Sequence, residues 1–222
     1  MRISSKLHFL KQEVCDANRS LPLLGLVVMH SGNVSGYDPT TGKLVIKPSG
    51  IDYSQLTPEM LVEVDVETGS YDSMMRPSVD LPHHLFLYRN IPDIFGIVHT
   101  HSNHATAFAA CGESIPVCLT AIADEFGDTI PCAPYVSNEG DAIGRSILEN
   151  RTSAPAVLLG KHGVFTWGKS PTAAIKSAAM VEDVAKTVIL AKQIGRIDVL
   201  PQEQIYLWND RYKHRYGQKK AA

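Results

Sequence analysis

"FGIVHTHSNHATAFAAC", residues 95–111, contains the change of rhythm on which the fold reading turns. Ile97 and Val98 open an apolar, β-branched run that reads as a buried strand, and residues 103–111 read as the helix that follows it. In an extended strand, residues i and i+2 share a face at about 7 Å spacing. His99 and His101 therefore project together while Thr100 points away. The pair alone fits two situations: half-buried imidazoles hydrogen-bonded near a sheet edge, or two ligands converging on one ion. His104 lies past the strand and is expected at the surface or behind the ligands.

Either side of this stretch, "LLGLVVMH", "KLVIKP", "MLVEVDVET", "PAVLLG" and "GVFTWG" are short, β-branched or alternating runs bounded by Gly, Pro, Ser and Asn. They predict further strands, in a sheet of about six or more. Ile3, Leu7, Leu10, Val14 and Ala17 recur at helical spacing and predict a helix over 3–19. Further helices are expected at 78–89, 138–149 and 171–194, the last with an apolar stripe among charges. Short linkers and two β-rich blocks predict a layered α/β/α fold. No G-x-G-x-x-G follows a strand, so a dinucleotide fold lacks its fingerprint. The closing "NDRYKHRYGQKKAA" reads, on its own, as a frayed tail.

The chain has 222 residues, enough for a full core, and is expected to form a single domain over 1–222. With 20% charged residues and a net charge of −2, it carries no field strong enough for nucleic acid or an anionic membrane as main partner. An anionic ligand must be held by local groups. No apolar run approaches the roughly 20 residues needed to span a bilayer, and the amphipathic start "MRISSKLHFLKQEVCDANRS" is unlike a signal peptide. A cytoplasmic protein is expected. Cys15, Cys111, Cys118 and Cys132 form no C-x-x-C pair and are expected as buried thiols in a reducing compartment.

A third histidine strengthens the metal reading. "LLGKHGVFTWG" sets His162 between two β-runs, flanked by glycines. Three neutral imidazoles are a common ligand set for catalytic Zn²⁺, with Mn²⁺ or Co²⁺ also open. Asp80, Asp93, Glu113 and Asp124 are the carboxylates that could complete the shell. Asp80, in "RPSVDLPHH", reads equally as a ligand or as a first-turn acid complementing a helix dipole, with Ser78 as the cap. His83 and His84 are expected at the surface. "HSGNVSGYD" and "IKPSGIDYS" look like anion-binding turns, whose backbone N–H groups can point inward past small side chains. Lys47 adds a point charge suited to phosphate. Each stretch singly is only a turn. Together with the histidines they point to a metal-dependent enzyme acting on a small phosphorylated substrate.

In their order along the chain, "GNVSG", "VIKPSG", "PSVD", "GIVHTHS-HAT", "IPVCLTAIADEFGDTIPC", "HGVFTWGK" and "YGQ" closely match one known pattern. The chain resembles the class II aldolase/adducin superfamily, most of all its L-ribulose-5-phosphate 4-epimerase branch. That resemblance implies a three-layer α/β/α domain around a central, mainly antiparallel sheet. It implies a metal, Zn²⁺ first, bound by His99, His101 and His162 with Asp80 beside them. Asn33, Lys47, Ser49, Gly50 and Ser78 match phosphate-binding positions, and Asp124 and Tyr216 match an acid/base pair. In the family this pair reaches the metal of a neighbouring subunit in a cyclic homotetramer, so the polar tail would be functional.

The implied reaction epimerises L-ribulose 5-phosphate to D-xylulose 5-phosphate by retro-aldol cleavage and re-addition through an enediolate. The near alternative is an aldolase for a related, L-fuculose 1-phosphate-like substrate; such aldolases carry glutamate at position 80. The sequence also departs from the epimerase pattern. Val79 replaces a usual serine, "IADEF" replaces "HADYF", and the segment before "YGQ" is shorter, with Arg211 near a usual histidine. A histidine-rich zinc hydrolyase, a cupin-like oxygenase and a non-enzymatic adducin-like module are the more distant readings. A cupin is a jelly roll without a long internal helix.

Overall fold

The computed structural model describes residues 3–217 of the chain. The strands are β1 (Asn33–Asp38), β2 (Lys43–Ile46), β3 (Val62–Asp65), β4 (Gly96–Thr100), β5 (Cys132–Ala133), β6 (Ala156–Leu159) and β7 (Gly163–Gly168). The helices are α1 (Ile3–Leu23), α2 (Leu81–Asn90), α3 (Asn103–Cys111), α4 (Thr120–Phe126), α5 (Ala142–Asn150), α6 (Pro171–Ile194) and α7 (Gln202–Arg215). The strands form one sheet in the order β3-β2-β1-β4-β7-β6-β5. Every pairing is antiparallel except β5 with β6.

Strand alternation sorts the side chains into two cores. Ile97, Phe165, Trp167, Val157 and Leu159 share a cluster with Leu85 and Leu87 of α2 and Ile143 and Ile147 of α5. The intervening residues Val164, Ala156 and Leu158 meet Phe108 of α3 and Val181, Val184 and Val188 of α6. Val34 and Val98 meet Leu21 of α1 and Ala174 and Ala178 of α6. Each wholly buried side chain of this size, Ile97 or Phe165 for example, contributes about 1.5–3 kcal/mol. Helices thus cover both faces of a mainly antiparallel sheet, the layered fold the sequence predicts and not a jelly roll. Among the described residues no helix is long and apolar enough to cross a membrane.

Several local expectations are corrected. Residues 23–30, "LLGLVVMH", form no strand: Gly25 and Met29 adopt φ of 67° and 55°, which breaks an extended run. Leu23, Val28 and Met29 face outward and only Leu26 is buried in the core. The strand starts instead at Asn33, so most of "HSGNVSGYD" is β1 and not a turn. Helix α1 runs on to Leu23, with Pro22 one residue before its end, where it forfeits one N–H bond to the preceding turn. α2 starts at Leu81 with Asp80, not Ser78, at the cap position, and α5 starts at Ala142. α4 is an additional helix, and residues 209–215 of the tail belong to α7, while residues 218–222 lie outside the described residues.

Candidate metal centre

Register builds the site. His99 pairs across the sheet with Asn33 of β1 on one side and Phe165 of β7 on the other. All three side chains therefore share the α2 side of the sheet. The His99 ring stacks on Phe165 at 4.5 Å between centroids. His101 follows just past β4, and His162 sits in the tight β6–β7 connection that brings it back alongside. One nitrogen from each of His99, His101 and His162 lies within 4.8 Å of the others.

Two glycines make this approach feasible. A Cβ on Gly163 would lie 2.5 Å from Thr100 O and 2.6 Å from His101 Cδ2, so only hydrogen fits next to His162. Gly32, at φ +88°, would place a Cβ 2.7 Å from His99 O. Tyr53 holds this second turn: its buried hydroxyl donates to the Gly32 carbonyl at 2.7 Å and lies 2.9 Å from that of Ser31.

The donor set suits a borderline divalent cation. His99 Nδ1 is 3.0 Å from Val164 O, which fixes the proton on Nδ1 and leaves the Nε2 lone pair facing inward. That Nε2 stands 3.0 Å from His101 Nε2. Two nitrogens bound tetrahedrally at about 2.0–2.1 Å from one zinc stand about 3.3 Å apart, so a small movement admits the ion. Burial pushes the His99 imidazole down to about 4, against the pull of Asp80. Burial likewise lowers His101, and burial together with His101 lowers His162. All three are neutral, ligand-competent imidazoles near pH 7. The site fits the metal that the sequence leads one to expect.

Asp80 lies in the same cavity, 7% exposed. Its carboxylate makes no cap to α2 and turns to accept from Asn33 Nδ2 at 2.7 Å and Ser78 Oγ at 3.3 Å. The carboxylate thus stands at the N-terminus of α2, where it complements the helix dipole, and also faces the cavity. Burial works against its charge, but His99, His84 and the Asn33 hydrogen bond outweigh it and hold the carboxyl below its usual range. Of the other carboxylates considered, neither Asp93, Glu113 nor Asp124 lines this cavity.

The residues expected to bind an anion line the same cavity. Ser49 N–H donates to Arg76 O and Ser78 N–H to Lys47 O, which clips the two segments together and sets Lys47, Ser49, Gly50 and Ser78 on one wall with Asn33. Lys47 is 2% exposed, its ammonium 4.8 Å over the Tyr53 ring, and burial lowers its pKa against the pull of Asp52. The cavity, about 190 Å³, has room for a small polar ligand. Val79, at the position of the missing serine, is 71% exposed at its rim.

Asp124 and Tyr216 are not brought to this cavity within one chain. Asp124 sits on α4, and Tyr216, 69% exposed, ends α7. Gln218 of "YGQ" lies outside the described residues. The expectation of surface positions for His83 and His84 is overturned, since both are fully buried. His84 Nδ1 meets Ser35 Oγ at 2.7 Å, and His83 Nε2 meets Asn138 Oδ1 at 2.8 Å. His104 is outside the triad and half-exposed, its Nδ1 2.6 Å from Glu182, which also accepts the N–H groups of His104 and Ala105 at the start of α3. Sequence reasoning did not single out Gly32, Tyr53 or Asn138, and it noted Gly163 only as a flank of His162. Only the glycines carried a signal, each lying one residue from a named position.

The chain is similar in sequence and in fold to known proteins. The sequence model of the class II aldolase and adducin N-terminal domain matches residues 12–189. An L-fuculose 1-phosphate aldolase structure superposes with a TM-score of 0.83 at 28% identity, over 92% of this chain and 96% of its own. YgbL from Escherichia coli, named as a candidate aldolase/epimerase/decarboxylase, gives 0.79 at 26% identity, over 91% of this chain and 99% of its own. L-fuculose 1-phosphate aldolase from Glaciozyma antarctica PI12, at 20% identity and 0.80, shares the fold over 95% of this chain and 84% of its own. The chain, with its layered sheet and three-imidazole cluster, belongs to the class II aldolase and adducin N-terminal domain family.

Proposed function

We propose that the protein is a metal-dependent enzyme that breaks and remakes a carbon–carbon bond in a sugar phosphate, interconverting L-ribulose 5-phosphate and D-xylulose 5-phosphate. One observation carries this reading: the three imidazoles and the Lys47, Ser49 and Ser78 groups line the same small cavity, a cation site beside an anion site. An adducin-like structural role has no need of that pairing. His99, His101 and His162 would hold the ion, with Asp80 beside them, and three imidazoles favour Zn²⁺, with Mn²⁺ or Co²⁺ as alternatives.

When bound, the divalent cation supplies Lewis acidity, drawing charge from a ketone oxygen as the neighbouring bond breaks. Lys47, Ser49, Gly50, Ser78 and Asn33 clamp the phosphate, so the released aldehyde fragment stays in place while it turns. A base takes the proton from the carbon-4 hydroxyl and an acid returns one after the aldehyde presents its other face. Asp124 and Tyr216 take these roles. Neither lines the cavity within one chain, which supports a site shared between subunits, and we take the assembly to be a homotetramer in which they act at a neighbour's metal. We place the enzyme in the cytoplasm, a reading supported by its four free cysteines, although only Cys15 is the buried thiol expected and Cys111 is exposed.

Retention of the fragment makes an epimerase and its release an aldolase. The likeness to L-fuculose 1-phosphate aldolase favours the second outcome as the alternative. Zinc- or manganese-loaded protein is incubated with L-ribulose 5-phosphate, and D-xylulose 5-phosphate and free glycolaldehyde phosphate are followed together. The epimer without the fragment is expected. Fragment release, or turnover only of an L-fuculose 1-phosphate-like substrate, moves the assignment to the aldolase. Mixing His99→Ala with Tyr216→Phe subunits is expected to restore partial activity, and no recovery argues against shared sites.

A further inference from the structure

Position 125 is a departure from the pattern the chain resembles, a glutamate in "IADEF" where tyrosine is usual. Its surroundings give that departure a use. The Glu125 carboxylate, on α4, pairs with Lys176 Nζ of α6 at 2.6 Å and its side chain is only 9% exposed. The same ammonium donates to Tyr212 Oη of α7 at 2.8 Å and lies 4.7 Å from the centre of that ring. Tyr212 in turn stacks on Tyr216, with centroids 4.9 Å apart and planes at 27°. Asn209, also on α7, donates to the backbone carbonyls of Ala123 and Asp124.

We propose that Lys176 is a positioning residue: by joining Glu125 to Tyr212 it ties the helices that carry Asp124 and Tyr216 into one unit referenced to α6. The inference rests on the reading of Asp124 and Tyr216 as the proton-transfer pair. A half-exposed ion pair contributes little to stability by itself, so the reason for three contacts on one ammonium is geometric. Tyr216 is mostly exposed, and its stack on Tyr212 is what the structure offers to orient it. α6 is a sound reference because Val181, Val184, Ala185 and Val188 anchor it in the core. Burial opposes the charge on Lys176, but Glu125 and Tyr212 outweigh it and raise its pKa, so the bridge stays charged across the neutral range. Proton transfer needs donor and acceptor within about 2.6–3.2 Å, and a displacement near 1 Å can cost about 100-fold in rate.

The test compares metal-loaded, full-length Lys176→Met, Lys176→Arg and Tyr212→Phe with the parent, by steady-state kinetics and amide hydrogen exchange. Lys176→Met is expected to lower kcat by about 10-fold or more, with KM and bound metal unchanged. Exchange at residues 210–217 is expected to quicken severalfold. Lys176→Arg, which can still donate to both partners, recovers most of kcat. Tyr212→Phe keeps the ring stack, folds whatever Lys176→Met does, and shows a smaller loss of the same kind. Unchanged exchange in Lys176→Met and Tyr212→Phe overturns the tie. Faster exchange with unchanged kcat, or a loss confined to KM or metal content, overturns the positioning role. Absence of turnover in the parent on any sugar phosphate overturns the acid/base reading instead, and the exchange data tell that failure apart from failure of the tie.

Discussion

Gly163→Ala puts the metal site under a small, calculable stress. The new Cβ would lie 2.5 Å from Thr100 O, 2.6 Å from His101 Cδ2 and 3.4 Å from His99 Cε1. Ordinary contacts between such atoms are about 3.5 Å, so the His101 ring or the β4–β7 junction must give by about 0.9 Å. Metal–ligand distances tolerate only about 0.2 Å. His101 is therefore displaced as a ligand, and metal affinity is expected to fall by about 100-fold, the upper end of losses seen when support to a single ligand is removed. At a free metal concentration 1,000 times the parent Kd, binding stabilises the parent by about 4.1 kcal/mol; the variant, then at 10 times its own Kd, gains about 1.4 kcal/mol. At about 2–4 °C per kcal/mol for a chain of this size, the metal-induced rise in Tm shrinks by roughly 5–11 °C. Chelator competition gives the affinity and thermal melts with and without metal give the shift. Gly42→Ala is the control: φ is +68° there and a Cβ meets open space, so only the backbone cost of about 1 kcal/mol appears and the metal-induced rise stays as in the parent. Parent-like affinity and an undiminished rise in Gly163→Ala would refute the reasoning.

Lys47→Met is expected to raise the stability of the ligand-free protein by about 1–2 kcal/mol, because it removes a charge that is 2% exposed and whose burial penalty outweighs the pull of Asp52. The same variant should lose the thermal protection that inorganic phosphate gives the parent, and protection that persists would remove Lys47 from the anion site. Acid should weaken the metal-free protein well before its carboxylates titrate. Burial holds His84 down to about 3 and His99 to about 4, so below pH 6.5 the unfolded chain binds protons the native state refuses. Stability is then present above pH 6.5 and falls by up to about 1.4 kcal/mol per pH unit for each such imidazole as pH drops towards those values; equal urea midpoints at pH 7 and pH 5 would contradict this. Exhaustive chelation should abolish turnover and lower Tm, with both restored by Zn²⁺ or Mn²⁺; activity that survives chelation would end the metal-dependent reading.

What the sequence made legible was set by how local its cause was. His99 and His101 were readable because period two is a property of one strand, and β4 is that strand. His162 was readable from its glycine-flanked place between two β-runs, but its meeting with His101 depends on the β6–β7 register. His83 and His84 were misread because helix α2 shows no clean apolar stripe; their burial follows from partners Ser35 and Asn138, 49 and 55 residues away. α7 escaped because its sequence is polar, with Ile205 as its only side chain in the core; Asn209 and Tyr212 bind it to distant helices. Asp80 was ambiguous by spacing, and the resemblance, not the pattern, singled it out.

The register of β4 has a consequence for what metal affinity measures. His99 faces Asn33 and Phe165 because each strand is in one alignment and no other. A slip of β4 by a single residue would turn Val98 and Thr100 towards the cavity and send both histidines to the opposite face. Such a misaligned chain could still bury much apolar surface, yet it would have no triad to offer. Metal affinity at the proposed triad would thus report the register of β4 as well as the presence of its ligands.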